Sequence, residues 1–270
     1  MTLDSLLEFT ESYKKEILEM KLHSDDVRKS FFGLVYSGIY DYYIGKASYQ
    51  ICEYIGTGNV KFDEKIYHFR EHAHRLLEIH NIGKLSDGYY GNLNRQITYT
   101  VWTSFETTIS MIFDFLANED DKISIIERMN QKIFRAIQTL SQDERQVISN
   151  ALIKNSFIPL IRKFNFIVKR SPESYAGDIR SDREFLNFTN RMRNCLIHTN
   201  GVYYGNDYMY EFLGSEFRFR NGEVFEQRGT NSRDIYLDIA ISLKKIIENL
   251  MPCISDIPHI GYPDDGQNES

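Results

Sequence analysis

The segment Arg193-Asn194-Cys195-Leu196-Ile197-His198 brings a guanidinium, a carboxamide and an imidazole into six consecutive residues. An imidazole titrates near neutrality and serves as a general acid or base. A guanidinium binds phosphate and stabilises negative charge that develops on it. Those are the needs of phosphodiester chemistry. The competing reading is a solvated cluster whose Arg and His stabilise the C-terminal end of a helix through its dipole.

Periodicity decides where these groups point. On a helix from Asp182 to Thr199, turning roughly 100° per residue, Phe185, Phe188, Met192 and Leu196 fall within about 60° of one direction and define the core face. Asn194 and His198, four residues apart, lie about 40° from each other on the opposite side. Arg193 sits to one flank and Arg191 falls close to His198. Ser181 and Glu184 form a capping-box pattern ahead of the helix, and Asn200-Gly201 marks its end. The stretch from Lys154 to Arg193 carries nine basic residues against four acids, within a chain whose formal net charge is -6. A basic lead-in therefore runs into the motif helix, whether as a solvated face or as an anion-binding surface.

The elements that must hold this helix are themselves helical. Leu6, Phe9, Tyr13, Ile17 and Met20 make one stripe over 3–22, and a second helix is predicted from Ser24, its N-cap, to Ile55. A third is predicted from about Asp63 to His80, with Asp87-Gly88-Tyr89-Tyr90-Gly91-Asn92 as a loop. Ile97, Val101, Phe105, Ile109, Ile112 and Leu116 form a stripe, and Ile126, Met129, Ile133, Ile137 and Leu140 another. Ser141 and Glu144 cap a further helix, and Pro159 opens the next. Glu216–Arg220 and Glu223–Glu226 alternate around Asn221-Gly222, the signature of a β-hairpin. A last helix is predicted from about Arg233 to Met251.

Composition bounds what such a chain does. Its 270 residues, 42% hydrophobic and 26% charged, suit a globular protein with a substantial core. Five Pro and 16 Gly suit long helices. No run of 18 apolar residues points to a membrane span, and the N-terminus lacks the pattern of a signal peptide. Three widely spaced cysteines, Cys52, Cys195 and Cys253, fit a reducing compartment. The expected location is cytoplasmic, without membrane contact.

The segment Arg193-Asn194-x-x-x-His198 resembles the Arg-x(4–6)-His signature of the HEPN superfamily. The helix carrying Phe105-Glu106 resembles the first helix of such domains, and the late motif helix followed by one closing helix agrees with them. The resemblance covers about Leu93 to Met251. It implies an all-α, up-and-down helical bundle over 93–252, preceded by an N-terminal helical extension (1–92), interrupted by a small inserted β-hairpin and followed by a C-terminal tail (253–270). Many members are metal-independent endoribonucleases of toxin–antitoxin, abortive-infection and antiphage systems that dimerise, so that two motif helices share a cleft. The resemblance makes His198 the acid or base acting on the RNA 2′-hydroxyl and leaving group. It makes Arg193 the group that steadies the phosphorane-like transition state, and Asn194 the one that orients the phosphate. Glu106 and Arg191 are supporting candidates. RNA, a second copy of the chain and an antitoxin or defence-system protein are the expected partners, with neither a cofactor nor a metal. The alternative is a non-catalytic HEPN-like module that binds a nucleotide, RNA or a protein partner. The extension and the inserted segment 203–229 depart from the small members of the family.

Two other signals are weaker. His68, His72, His74 and His80 lie near Glu64 and Glu71 at a spacing that can hold a metal, although surface histidines commonly cluster. Cys195, three residues before His198, has the position of a thiolate nucleophile, yet it falls nearer the apolar stripe and is expected to be a buried small residue.

Overall fold

Long helices need apolar residues every third or fourth position and few interruptions, and this sequence supplies both. The computed structural model describes residues 2–56, 82–199, 201–229 and 234–261, with side chains omitted at 51–56 and 82–92. The helix expected over 63–80, with its histidines, lies outside the described residues. Among those described, the helices are α1 (Leu3–Glu19), α2 (Val27–Gly56), α3 (Ile82–Leu116), α4 (Glu119–Met129), α5 (Gln131–Ala136), α6 (Gln142–Asn155), α7 (Leu160–Val168), α8 (Ile179–His198) and α9 (Ile235–Leu250). Three strands, β1 (Tyr208–Phe212), β2 (Ser215–Phe219) and β3 (Glu226–Gly229), form an antiparallel sheet in that order. The chain is thus mainly helical with a small sheet. No helix of the described residues is long and apolar enough to cross a membrane.

Several expectations are corrected in detail. Asp87–Asn92 lies inside α3 and forms no loop. The stripe from Ile126 to Leu140 does not form one helix. At Asn130 the backbone leaves helical geometry (φ -105°, ψ 24°) and the Asn130 side chain donates to Ile126 O at 3.0 Å. The chain restarts as α5 and a 3-10 turn, leaving Ile133 and Leu140 exposed. The N-cap of α2 is Asp26 rather than Ser24: its Oδ1 accepts from the Arg28 amide at 2.8 Å. The expected capping box of α6 is present, with Ser141 and Glu144 each holding the other's backbone amide.

The described chain divides into two compact units. The first comprises residues 1–21, 29–104 and 188–245. Its core includes Leu6, Tyr13, Phe32, Val101, Trp102, Phe188 and Met192, all buried. Tyr13 donates its hydroxyl to Phe32 O at 3.0 Å, which ties α1 to α2. Asp234, just ahead of α9, accepts from Lys46 Nζ at 2.7 Å and from the Tyr42 hydroxyl at 3.0 Å. Burial pushes the Asp234 carboxyl up, and the hydrogen bond from Lys46 brings it below the usual carboxylate range.

The second unit comprises residues 22–28, 105–187 and 246–270. Phe105, Ile109, Ile112, Phe164, Ile167, Leu186 and Ile247 are buried in it. Residues assigned to the tail supply more of this core, since Cys253, Ile254, Ile257 and Ile260 are also buried. Tyr175 donates to Asp182 Oδ2 at 2.5 Å, and Asn249 shares that carboxylate. Gly177 lies against this group: a Cβ there would come within 2.2 Å of Asn249 Nδ2 and 2.8 Å of Asp182 Oδ2.

Arg28, 1% exposed, makes a two-pronged pair with the fully buried Asp26 at 2.6 and 2.8 Å, and also donates to Ile257 O at 3.1 Å. The Ile260 amide donates to the same carboxylate at 3.0 Å. Burial pushes the Asp26 carboxyl up, but these hydrogen bonds, led by that of Arg28, more than offset it and hold it below the usual range. A carboxyl whose pKa is lowered on folding stabilises fully above its unfolded value of about 3.9, and the contribution is lost as pH falls through the folded value. Urea midpoints are therefore expected to stay level from about pH 7 to about pH 5 and to fall in stronger acid. Asp26→Asn, which leaves Arg28 buried without its carboxylate, is expected to cost about 3–5 kcal/mol at neutral pH and to flatten that acid dependence.

Candidate functional site

The motif helix is built to present one face inward and another outward. It begins three residues earlier than the predicted capping box. Asp178 Oδ1 accepts from the Ser181 amide at 2.8 Å, so Asp178 is the capping side chain. Glu184 instead pairs with Arg180 on the helix surface at 3.3 Å. The far end stops as expected. Gly201 adopts φ +92°, a conformation that side chains disfavour, and its amide donates to Cys195 O at 2.6 Å. Thr199 Oγ1 also donates to Cys195 O, at 3.2 Å.

On the inward face Phe185, Phe188, Met192 and Cys195 are buried, and Leu196 is half-buried. Phe188 lies over the inserted sheet. Its ring stacks on Tyr210 (centroids 4.5 Å, planes 13° apart) and meets Phe217 at 4.8 Å. Strand alternation places those rings on the same side of the sheet, so the insertion forms the seat of the motif helix. The sheet has one strand more than the predicted hairpin. β2 and β3 flank Asn221-Gly222 through a six-residue connection, and a second, tighter turn at Leu213-Gly214 joins β1 to β2. Leu213 has φ +48°, a conformation that its residue type does not announce, which is why β1 escaped the sequence pattern.

On the outward face Arg193, Asn194 and His198 come together. Arg193 Nη1 lies 2.9 Å from His198 Nε2 and 3.0 Å from Asn194 Oδ1. A guanidinium has only donors, so His198 Nε2 accepts in this contact and the imidazole carries its proton on Nδ1. Asn194 and His198 are exposed and Arg193 is half-buried. The cluster thus presents to solvent an imidazole nitrogen already shown a hydrogen-bond donor, a cation, and the amide donors of Asn194. An oxyanion placed there would compete for the Arg193 N–H groups and release Nε2 to exchange a proton.

Arg191, which the wheel places near His198, is turned to the inserted segment. It donates to the Tyr203 hydroxyl and lies over the Tyr208 ring, 4.6 Å from its centroid. Tyr203 passes that contact on by donating to Asn206 O at 2.9 Å. Neither tyrosine is marked by the motif, and only their density in the insertion hints at the role. Glu106 belongs to the second unit, where it lines a cavity of about 320 Å³ with Ser110, Met111, Phe157 and Lys163, the last bonded to Ser110 at 3.0 Å.

Among the described residues one group could present ligand atoms to a metal: His23, Asp25 and His259 of the second unit, whose atoms lie within 4.8 Å of one another. All three are exposed, and Asp25 already joins the two rings by hydrogen bonds, which hold its carboxyl below the usual range.

Cys195 is 2% exposed, and burial pushes its thiol up, opposed weakly by the charge of Arg191. The thiolate is the reactive form, so the folded chain is expected to alkylate at Cys195 at pH 8 at least about tenfold more slowly than the urea-unfolded chain, as followed by peptide mass mapping. Equal rates would show an accessible thiol. No family model, no curated protein and no solved structure matches the chain.

Proposed function

We propose that the chain is a metal-independent endoribonuclease of the HEPN type, acting in a cytoplasmic defence or toxin-like system. The observation that carries the reading is the approach of Arg193 Nη1 to 2.9 Å from the exposed His198 Nε2, with Asn194 bonded to the same guanidinium. In this reading residues 93–252 correspond to a HEPN bundle, and two copies of the chain pair so that their motif helices share one cleft. A closed two-fold interface would place two His198 side chains on one scissile phosphate.

The chemistry follows from the groups. His198 takes the proton of an RNA 2′-hydroxyl, whose oxygen attacks the adjacent phosphorus. The 5′-oxygen leaves with a proton supplied by an imidazolium, and the products are a 2′,3′-cyclic phosphate and a free 5′-hydroxyl. Arg193, drawn from His198 to the non-bridging oxygens, stabilises the charge that grows there, and Asn194 fixes the phosphate. Arg191, held by Tyr203 and Tyr208, adds positive potential next to the cluster without facing the scissile bond.

Labelled single-stranded RNA incubated with the purified chain in excess chelator tests this directly. Cleavage is expected, with a loss of about 100-fold or more in His198→Ala and of similar size in Arg193→Ala. Identical cleavage by wild type and both variants would overturn the assignment. RNA binding without cleavage, unaffected by His198→Ala, would make the chain a non-catalytic binding module instead.

A further inference from the structure

The basic lead-in to the motif has a destination of its own. In the second unit, α4, α7 and the start of α8 line a solvent-open cavity of about 510 Å³. Arg162, Lys169 and Arg170 reach it from α7 and the residue pair that ends it, Arg183 from α8, and Arg128 from α4. The spacing of Arg162, Asn165, Phe166 and Lys169 puts all four on one face of α7. No acidic side chain lines the cavity among the described residues.

Local partners satisfy only part of this charge. Arg128 donates to the Ser124 carbonyl at 3.1 Å and to its hydroxyl at 2.8 Å, and Arg170 pairs with Asp256 at 3.2 Å. Arg162, Lys169 and Arg183 have no side-chain hydrogen bond or ion pair among the described residues. Arg183 Nε and Asn165 Oδ1 are shielded from solvent and unpartnered. Five cations held around one concavity repel one another, and the shielded Arg183 Nε–H without an acceptor carries a desolvation cost. A chain of net charge -6 does not collect them there through general basicity. The cavity has the charge, the donors and the volume of a site for a small polyanion.

We propose that this cavity binds a compact polyphosphate, the triphosphate chain of a nucleotide or free inorganic triphosphate. Guanidinium groups grip phosphate oxygens in pairs, and Arg162 and Arg183 reach the cavity from different helices, so that they can hold successive phosphates. A single-stranded RNA backbone would call for a basic track with several stacking platforms along it, whereas among the described residues Phe166 is the one aromatic ring lining this cavity. Ile125 and Phe166, whose ring packs edge-on against Phe113 at 5.2 Å, give the cavity an apolar wall on which a nucleoside can rest. The proposal stands apart from the ribonuclease reading, because none of its residues belongs to the Arg193–His198 cluster.

Calorimetric titration of the whole chain with inorganic triphosphate, and separately with ATP, at about 0.1 M salt tests it. Binding in the micromolar range is expected for at least one of the two. Arg183→Gln and Arg162→Gln should each weaken it by about tenfold or more. Arg180→Gln, an exposed change on the same helix as Arg183, should leave it unaltered. Lys169→Glu, at an exposed position, guards against misfolding in the arginine variants: it should also weaken binding while helical circular dichroism and Tm are unchanged. Tighter binding of ATP than of triphosphate identifies a nucleotide site, and equal binding a site for the phosphate chain. His198→Ala should bind both as wild type does, whatever its effect on RNA cleavage. No binding of either anion at millimolar concentration overturns the proposal. So does equal affinity in all variants, which would mean an adventitious ion only. RNA binding that is lost in these variants but not displaced by triphosphate would overturn it as well.

Discussion

A guanidinium offers five N–H donors, accepts nothing and keeps its charge at any pH a cell reaches. Each arginine taken from bulk water must therefore be given acceptors, and much of this chain can be understood from how that demand is met. Arg28 is met by a buried carboxylate and by carbonyls of the closing segment. Arg191 is met by a phenol and an aromatic face supplied by the insertion. Arg193 is met by the neighbouring amide and by a ring nitrogen that itself can take a proton. In the cavity of the second unit Arg128 and Arg170 find acceptors, and Arg162 and Arg183 find none among the described residues. The same side chain thus serves as a structural rivet, as a partner for aromatic rings or as half of an exposed Arg–His contact, according to which acceptor the fold supplies.

The motif helix packs one face and presents polar side chains on the other. Phe188, Met192 and Cys195 anchor it, and the inserted sheet covers that face with aromatic rings rather than with another helix. Rings stacked at close range resist sliding more than aliphatic contacts do, because their overlap depends on orientation. The polar residues on the opposite side are then carried on a helix whose rotation is fixed. His198 occupies the last helical position, where the chain turns away through Gly201, so its backbone is defined by packing on one side and by the cap on the other.

What was legible in the sequence follows from which forces are local. The stripes over 3–22 and 97–116, the Ser141–Glu144 cap and the stop at Gly201 depend on residues within a few positions of one another, and helices with these features are found there. The buried side of the motif helix was legible for the same reason. The contact of Arg193 with His198 was not, because five residues on a helix separate them by about 140°, and only the length of the arginine side chain closes the gap. The turn of Arg191 toward Tyr203 and Tyr208 depends on how the insertion folds back, and the wheel contains no such term. Asn130 interrupts a hydrophobic stripe that runs on past it, which shows a capping side chain prevailing over periodicity. Strand β1 was missed since its turn rests on Leu213 in a conformation that usually belongs to Gly or Asn.

The pairing of Arg28 also bears on how this chain is made. Its carbonyl acceptors lie 226 and 229 residues downstream, and the second unit draws on three separate stretches of the chain. A ribosome releases residues from the N-terminus onward, so the start of α2 emerges long before the segment that completes its setting. Until then Arg28 and Asp26 are best left in water, since burying them half-satisfied costs more than leaving them solvated. The contacts that complete the setting of Arg28 can therefore form only after the segment around Ile254–Ile260 has been made.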